Sequence, residues 1–223
     1  MRCLALAQWA VELKAKVAVA LPISPGAESL AWPCPVSIGN AKIRGHVSIV
    51  DGYPVPPAED LWAIVDAMPT NPTAAGFIYP HFGAVPIPGF PTFVGPQWMP
   101  LRRAFGYGHP FMGCERKGRV SYRAPKDLRD YEPLMGSAQD VCRALSAAEA
   151  AWVPASTVAY EALAVGCPVV LNDAGSIPAI GDAMVEAGVA TRWDGGEKPP
   201  VLKGFDFPVI DGLGAKRLLE ALL

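Results

Sequence analysis

Apolar residues recur along the chain at the spacing that is typical of helices. Positions i, i+3, i+4 and i+7 are apolar in three segments, and a looser version of this pattern precedes Gly188. Each segment predicts a helix that buries one stripe, with Gly188 as a C-terminal cap. The four sets are Leu6, Trp9, Ala10 and Leu13; Leu61, Ile64, Val65 and Met68; Ala215, Leu218, Leu219 and Leu222; and Ile177, Ile180, Met184 and Val185.

Short apolar runs with β-branched residues lie between the predicted helices. The runs are continuous rather than alternating, which favours strands that are buried on both faces. Because they interleave with helices, they indicate βαβ units. The predicted fold class is therefore α/β, with parallel sheets flanked by helices. The runs are 17–21, 46–50, 76–79, 120–122 and 168–171.

Proline and glycine concentrate in two stretches, 80–100 and 195–208. The first carries six prolines and three glycines, and proline removes backbone donors, so no regular element is expected there. It is interpreted as the connection between an N-terminal lobe, 1–95, and a C-terminal lobe, 96–223. The second is expected to be a surface loop before the last helix, which Asp211 can cap.

Composition narrows the class of protein. The 223 residues are 51% hydrophobic and carry a net charge of -2, which suits a packed core without a bias toward nucleic acid or membranes. The five cysteines are widely spaced and the three histidines lack metal-ligand spacing, so we expect reduced thiols in a cytoplasmic protein without a metal. No apolar stretch reaches the ~20 residues that span a bilayer, so no membrane insertion is expected.

The segment 152–171 has the pattern strand, turn, helix, strand. Ser156 and Thr157 open the predicted helix. Gly166 can end it in the left-handed conformation, and Pro168 prevents its continuation.

The N-terminus of this helix is a candidate phosphate site. Its unpaired N–H groups and positive dipole end favour phosphate oxygens, and the hydroxyls of Ser156 and Thr157 can add donors. Glu161, one turn beyond Thr157, can accept from both hydroxyls of a ribose. The pattern suits a nucleotide-sugar held by its nucleotide end. A serine N-cap and a solvated glutamate are also ordinary helix features.

The segment STVAYEALAVGCPVVLNDAGS, 156–176, resembles the donor-binding segment of two-domain GT-B glycosyltransferases. The resemblance is to the N-acetylglucosaminyltransferase of peptidoglycan synthesis and to the UDP-sugar hydrolases of the pseudaminic-acid pathway. It implies a reduced GT-B fold of two Rossmann-like lobes, with a UDP-sugar as co-substrate and no other cofactor. It also implies donor-binding roles for Ser156, Thr157 and Glu161, with Asn172 and Asp173 facing the sugar.

Further pieces resemble the hydrolase branch, in family order. They are MRCLALAQ at 1–8, VDGY at 50–53, VGP at 94–96 and DGLGAKR at 211–217. The family's first strand, its glycine-rich loop and the histidine that serves the hydrolases as base would precede Met1. We therefore expect an unpaired sheet edge and a homodimer formed through it.

The stretch 102–129 is basic and aromatic. Eight basic residues stand against two acidic ones, a net charge of +6, with four interspersed aromatic residues. Such a loop suits a phosphate backbone and stacked or flipped bases, as in viral glucosyltransferases that act on hydroxymethylated bases in DNA. Alternatively, the charges face the donor diphosphate or solvate a loop. Arg102 and Arg103 are candidates for neutralising the leaving diphosphate.

Three residues are candidates for the general base that a transfer to a hydroxyl requires. Asp51 follows a predicted parallel strand, at the carboxyl edge where open α/β sheets place their sites. His81 lies in the proline-rich connection, and His109 lies in the basic stretch.

Three functions remain open at this point. The first is a UDP-sugar-dependent glycosyltransferase. The second is a UDP-sugar hydrolase of the pseudaminic-acid type, and the third is a non-catalytic module that binds a nucleotide or nucleic acid. A dinucleotide-binding dehydrogenase is not expected, because no GxGxxG follows a predicted strand.

Overall fold

The computed structural model describes residues 2–21, 32–38, 47–51, 61–70, 72–106, 115–123, 130–172, 177–193 and 210–223. In chain order the helices and strands of this part are α1 (Arg2–Glu12), β1 (Val19–Leu21), β2 (Val36–Ile38), β3 (Ser48–Asp51), β4 (Leu61–Ile64), β5 (Gly76–Tyr79), β6 (Thr92–Val94), β7 (Arg119–Ser121), β8 (Glu132–Pro133), α2 (Ala138–Ala147), β9 (Ala150–Pro154), α3 (Thr157–Ala164), β10 (Val169–Asn172), α4 (Pro178–Glu186), β11 (Ala190–Arg192) and α5 (Gly214–Leu222).

The chain forms two compact units, and the predicted α/β class with two Rossmann-like lobes is confirmed. Unit 1 comprises Met1–Pro80, Ala84–Arg103 and Leu213–Leu223, and unit 2 comprises His81–Gly83 and Ala104–Gly212. This division differs from a single boundary at residue 95. Every strand pairing in the described part of the chain is parallel.

Unit 1 contains a four-stranded sheet in the order β3-β4-β5-β6, and β1 pairs with β2 in a separate sheet. On one face of the larger sheet, α1 and α5 pack against each other and against Ile64 and Ile78, with Trp9 and Leu218 in the same cluster. On the other face, Phe77 packs with its neighbours on β4 and in the 84–90 segment. Because both faces are covered, β4 and β5 are apolar throughout.

Unit 2 contains a five-stranded sheet in the order β11-β10-β9-β7-β8. Helix α3 packs against β9, β10 and α2, and α4 packs against β11. From β7 the chain continues to β8 on one side of it, and then returns to β9 on its other side and proceeds outward to β11. The strand order therefore reverses between β7 and β9. In open parallel sheets the carboxyl edge at such a reversal is where ligands bind.

The helix predicted around Leu61, Ile64, Val65 and Met68 is wrong, because Leu61–Ile64 is the strand β4. Leu61, Ala63 and Val65 face one side of the sheet and Ile64 faces the other, so a strand buried on both faces produces the same apolar spacing as one turn of helix. Met68, the last residue of the predicted stripe, is 43% exposed.

The proline-rich stretch 80–100 is more regular than expected. It contains β6, which pairs with β5, and a 3-10 turn at Pro96–Trp98. Proline is tolerated because β6 is an edge strand in the described sheet, and its prolines flank it. Asp211 was expected to cap the last helix, but α5 has Leu213 at its N-cap position and no side-chain cap.

Both predicted glycine ends are confirmed. Gly166 follows α3 with φ of +68°, and Gly188 follows α4 with φ of +70°. Helix α2 was not predicted, although Ser137 and Asp140 form a capping box at its start. No helix in the described part of the chain is long and apolar enough to cross a membrane.

Candidate functional site

The tip of α3 is where a long buried segment of unit 2 reaches solvent. From Ala150 to Asn172, through β9, α3 and β10, every residue is buried except Ser156 and Thr157. The sequence expectation that these two residues open the helix is confirmed, with Ser156 as N-cap and Thr157 as first helical residue. The tip lies at the carboxyl end of β9, beside the reversal of strand order.

The hydroxyl of Ser156 makes no capping hydrogen bond to the helix, although its backbone has the extended N-cap conformation. The first turn of α3 also contains no acidic residue. The first N–H groups of a helix have no intrahelical partner, and the dipole places partial positive charge on them. This end therefore has the electrostatic character of an anion site.

Glu161 lies in the middle of α3 and is 2% exposed. All of its helix neighbours from Val158 to Ala164 are buried as well, so α3 is covered on every side rather than along the single stripe that the sequence suggested. A ribose can use the Glu161 carboxylate only if binding gives it access. Because Glu161 is buried, its role in binding is best tested with Glu161→Gln, which removes the charge and keeps the size of the side chain.

His81 is brought to the same helix. Its Nδ1 lies 2.9 Å from the hydroxyl oxygen of Tyr160, the residue before Glu161, and the two rings are in contact. Phe82 stacks on Tyr160 with a centroid distance of 5.8 Å. His81 is only 4% exposed. In this arrangement His81 holds the side of α3, and its predicted role as general base stays a prediction.

Asn172 supports the edge of the sheet. The N–H of Tyr122 donates to Trp152 O on β9 at 3.0 Å. In a regular parallel ladder the N–H of residue 154 would then donate to the carbonyl of Tyr122. Residue 154 is proline and has no N–H, and the Asn172 Nδ2 donates to Tyr122 O instead, at 3.3 Å. Asn172 thus replaces a missing ladder hydrogen bond. A role in facing the sugar is untested.

In unit 1, Asp51 belongs to a charged cluster at the carboxyl edge of the sheet. The Arg2 guanidinium at the start of α1 forms ion pairs with Asp51, at the end of β3, and with Asp66, just beyond β4. Burial disfavours the charge on Arg2, but the two carboxylates outweigh it, so the pKa of its guanidinium lies above its ordinary value. Asp51 therefore anchors α1 to the sheet. Its role as a base stays a prediction.

The thiol of Cys3 borders the same cluster, with Sγ 4.0 Å from Asp51 Oδ2. Burial, and then the negative charge of Asp51, raise the pKa of the Cys3 thiol to about 11. The thiol is therefore protonated near neutral pH and poorly nucleophilic.

Among the described residues of the stretch 102–129, three basic side chains are buried or bound to other groups of the protein. In unit 1, Arg102 is 7% exposed, and Arg103 pairs with Glu12 at 2.9 Å. In unit 2, Arg116 donates to carbonyls at the C-terminal ends of α2 and α3, among them Val165 O at 2.8 Å. These three side chains serve the fold, and their part in neutralising a diphosphate is untested.

Several predicted positions lie outside the described residues. They are His109, Asp173, Lys126, Arg129, and His46 of the predicted strand 46–50. Within the described ranges no three His, Cys, Asp or Glu side chains cluster in a way that could hold a metal ion.

No protein-family model matches the chain, and no curated protein or solved structure matches it either. The class of protein is therefore defined by the fold: an α/β protein with two units, each built on a parallel sheet. Its candidate site is the tip of α3.

Sequence reasoning missed Arg2, Tyr160 and the pairing of Asn172 with Tyr122. Pro154, at the end of the apolar run before the predicted helix, was an available signal for the last, because a proline leaves a carbonyl on the neighbouring strand without its donor. No local signal exists for Arg2, whose partners are 49 and 64 residues away.

Proposed function

We propose that the chain is a UDP-sugar-dependent glycosyltransferase of reduced GT-B type, with its donor bound at the tip of α3. One observation carries the proposal. Between Ala150 and Asn172 only Ser156 and Thr157 are more than slightly exposed, so this segment meets solvent at the end of the helix that attracts phosphate oxygens.

The donor's diphosphate would accept hydrogen bonds from the first N–H groups of α3 and from the hydroxyls of Ser156 and Thr157. The ribose would lie toward Glu161. The anomeric carbon would then break its bond to the diphosphate oxygen and form a bond to an acceptor hydroxyl, whose proton passes to a base. A hydroxymethylated base in DNA is the acceptor to test first.

A second function is favoured by a specific observation. Two of the three candidate bases, Asp51 and His81, already make contacts with Arg2 and Tyr160. A binding module that retains the donor helix without turnover is consistent with those contacts. UDP-sugar hydrolysis is the third outcome.

Calorimetry with UDP, UDP-glucose and UDP-N-acetylglucosamine tests the donor site. We expect binding by the wild type and a loss of roughly 10- to 100-fold in Glu161→Gln, since hydrogen bonds to charged groups contribute ~1.5–3 kcal/mol. Glu149→Gln, a change at an exposed residue of unit 2, is the control that should bind normally. Equal affinity in Glu161→Gln and wild type would remove Glu161 from the site.

Product analysis separates the three functions. Incubation with UDP-glucose carrying a labelled sugar, with and without hydroxymethylated DNA, should yield labelled DNA if the chain is this transferase. Free sugar that forms without acceptor identifies a hydrolase. Donor binding with neither product, across a panel of acceptors, identifies a binding module.

The role of Asp51 can be tested against a matched control, because Asp51 and Asp66 share Arg2. If Asp51 is the base, Asp51→Asn abolishes turnover while Asp66→Asn retains it. If both residues only anchor Arg2, the two variants lose thermal stability to similar extents and keep the same turnover per folded molecule.

A further inference from the structure

Tyr122 and Arg123 follow β7 directly, at the reversal of strand order beside the tip of α3. Tyr122 is a large aromatic residue that stays 37% exposed at this edge. The neighbouring strand on one side of it is β9, which leads through Ser156 into α3. Adjacent strands lie ~4.8 Å apart. Tyr122 therefore lies one strand away from β9, the strand that leads to the proposed diphosphate position.

The backbone of Tyr122 is held by two strands. Its N–H donates to Trp152 O on β9, and its carbonyl accepts from the Asn172 side chain on β10. The second bond compensates for the N–H that Pro154 lacks. A side chain carried on a strand end that is fixed in this way is pre-organised for recognition.

Arg123 adopts a left-handed backbone conformation, with φ of +50°. Such a conformation is unfavourable for a residue with a Cβ, and strain of this kind concentrates at functional sites. The conformation accompanies a contact in which the Arg123 guanidinium lies 5.4 Å from the centroid of the Tyr122 ring. Ring and cation together form one exposed surface.

An aromatic ring with an arginine beside it is suited to one chemical group in a nucleotide-sugar. A nucleobase is a flat π system that stacks on aromatic rings, and its diphosphate carries the negative charge that a guanidinium attracts. In a nucleoside diphosphate the base is separated from the diphosphate by the ribose. Such a ligand can place its base at the Tyr122 edge of the sheet while its diphosphate lies at the α3 tip.

We propose that Tyr122 is the stacking surface for the nucleobase of the donor and that Arg123 orients this ring. The inference rests on the proposed nucleotide-sugar site and deepens it. Stacking accepts every base, since each has a π face. Tyr122 therefore supplies affinity for nucleoside diphosphates as a class, and discrimination of uracil is assigned to other contacts.

The test is calorimetry with UDP, ADP and inorganic diphosphate on wild type, Tyr122→Ala and Tyr122→Phe. Tyr122→Ala should lower the affinity for both nucleotides by roughly 10- to 100-fold, the range expected for one stacked base. Its affinity for inorganic diphosphate should equal that of wild type, and Tyr122→Phe should bind all three ligands like wild type. Saturation-transfer NMR should also show contact between the uracil protons and the protein, weakened in Tyr122→Ala.

The contribution of Arg123 is tested with Arg123→Asn, because asparagine tolerates the left-handed conformation. This variant removes the cation and keeps the turn, so it should weaken UDP severalfold, less than Tyr122→Ala. Thermal unfolding should be unchanged in Tyr122→Phe and Arg123→Asn, which separates a binding defect from a folding defect.

The outcomes distinguish the two proposals. If wild type binds neither UDP nor inorganic diphosphate, the donor site itself is wrong and this inference falls with it. If wild type binds UDP and Tyr122→Ala binds it equally well, only the stacking role is overturned. If Tyr122→Ala no longer binds a single-stranded oligonucleotide that wild type binds, while its affinity for UDP is unchanged, the surface binds nucleic acid and the proposal is also overturned.

Discussion

Helices α2 and α3 lie in the same unit, pack against each other and both begin after a serine, yet their N-termini differ. At α2, the Ser137 side chain accepts from Asp140 N at 3.3 Å, and the Asp140 carboxylate accepts from Ser137 N at 3.0 Å. At α3, Ser156 makes no capping bond and the first turn has no acidic residue. The N-terminus of α2 is therefore capped by side chains of its own first turn, and the N-terminus of α3 has no side-chain cap.

The burial of the two helices explains why the uncapped end is tolerated. Helix α2 has a polar face, with exposed Asp140 and Arg143, and it depends on its cap for part of its stability. Helix α3 is buried on every side, so tertiary packing stabilises it without a cap. A buried helix of this kind can leave its positive end available to an anion.

The largest expected effect comes from placing a negative charge at the uncapped end. Ser156→Asp should lower the affinity for UDP roughly 100-fold, equivalent to ~2.7 kcal/mol, because the new carboxylate repels the diphosphate. It should not lower the melting temperature, because aspartate is a good N-cap. Ser137→Asp at α2 is the matched control and should bind UDP normally. Equal loss in both variants would refute a phosphate site at α3.

The C-terminal ends provide a second contrast. Gly166→Ala forces an alanine into a backbone with φ of +68° and should destabilise the protein by roughly 1–2 kcal/mol. Ala187→Gly, at the exposed end of α4 where φ is -69°, should cost less, since it mainly adds backbone entropy to the unfolded chain. Urea unfolding measures both. A smaller loss for Gly166→Ala than for Ala187→Gly would contradict the left-handed cap.

Removing each serine hydroxyl tests the caps themselves. Ser137→Ala should reduce the free energy of unfolding by about 1 kcal/mol, because it deletes a capping bond. Ser156→Ala should have little effect on stability, since its hydroxyl caps nothing. Ser156→Ala should instead lower the affinity for UDP. The comparison fails if the two variants are equally destabilised.

The smallest effect concerns pH. Hydrogen bonds from the hydroxyl and then the N–H of Ser137 lower the pKa of the Asp140 carboxyl. A lowered pKa contributes stability above the ordinary carboxyl pKa of about 3.9, and this contribution is lost as the pH falls through the lower folded-state value. Between pH 6 and pH 2.5, wild type should therefore lose slightly more stability than Asp140→Asn. If the urea midpoints of the two proteins change by the same amount over this range, the charge of Asp140 contributes nothing to the cap.

Local chemistry made part of this molecule predictable. Gly166 and Gly188 end their helices as expected, because few residues other than glycine adopt the left-handed conformation without strain. The start of α3 at Ser156 and Thr157 was also predicted. The parallel arrangement was predicted from continuous apolar strands between helices, since this pattern is typical of βαβ units with a parallel sheet.

Other features could not be read locally. The residues 61–64 suit one helical turn and a doubly buried strand equally well, and only the covering of both sheet faces decides between them. Helix α2, by contrast, carries a local signal in the capping box of Ser137 and Asp140, and it was missed. For the site, the tip of α3 was predicted, whereas the burial of Glu161 and the exposure of Tyr122 were not.

The sequence by itself determined the glycine ends of α3 and α4, several of the runs that become strands and the hydroxyl residues at the start of α3, because these depend on neighbouring side chains and backbone preferences. Only the tertiary structure decided that Arg2 holds Asp51 and Asp66, that His81 holds Tyr160, and that Asn172 supplies the donor that Pro154 lacks. Such partners are distant in the chain, and local preferences do not determine which distant side chains the folded units bring together.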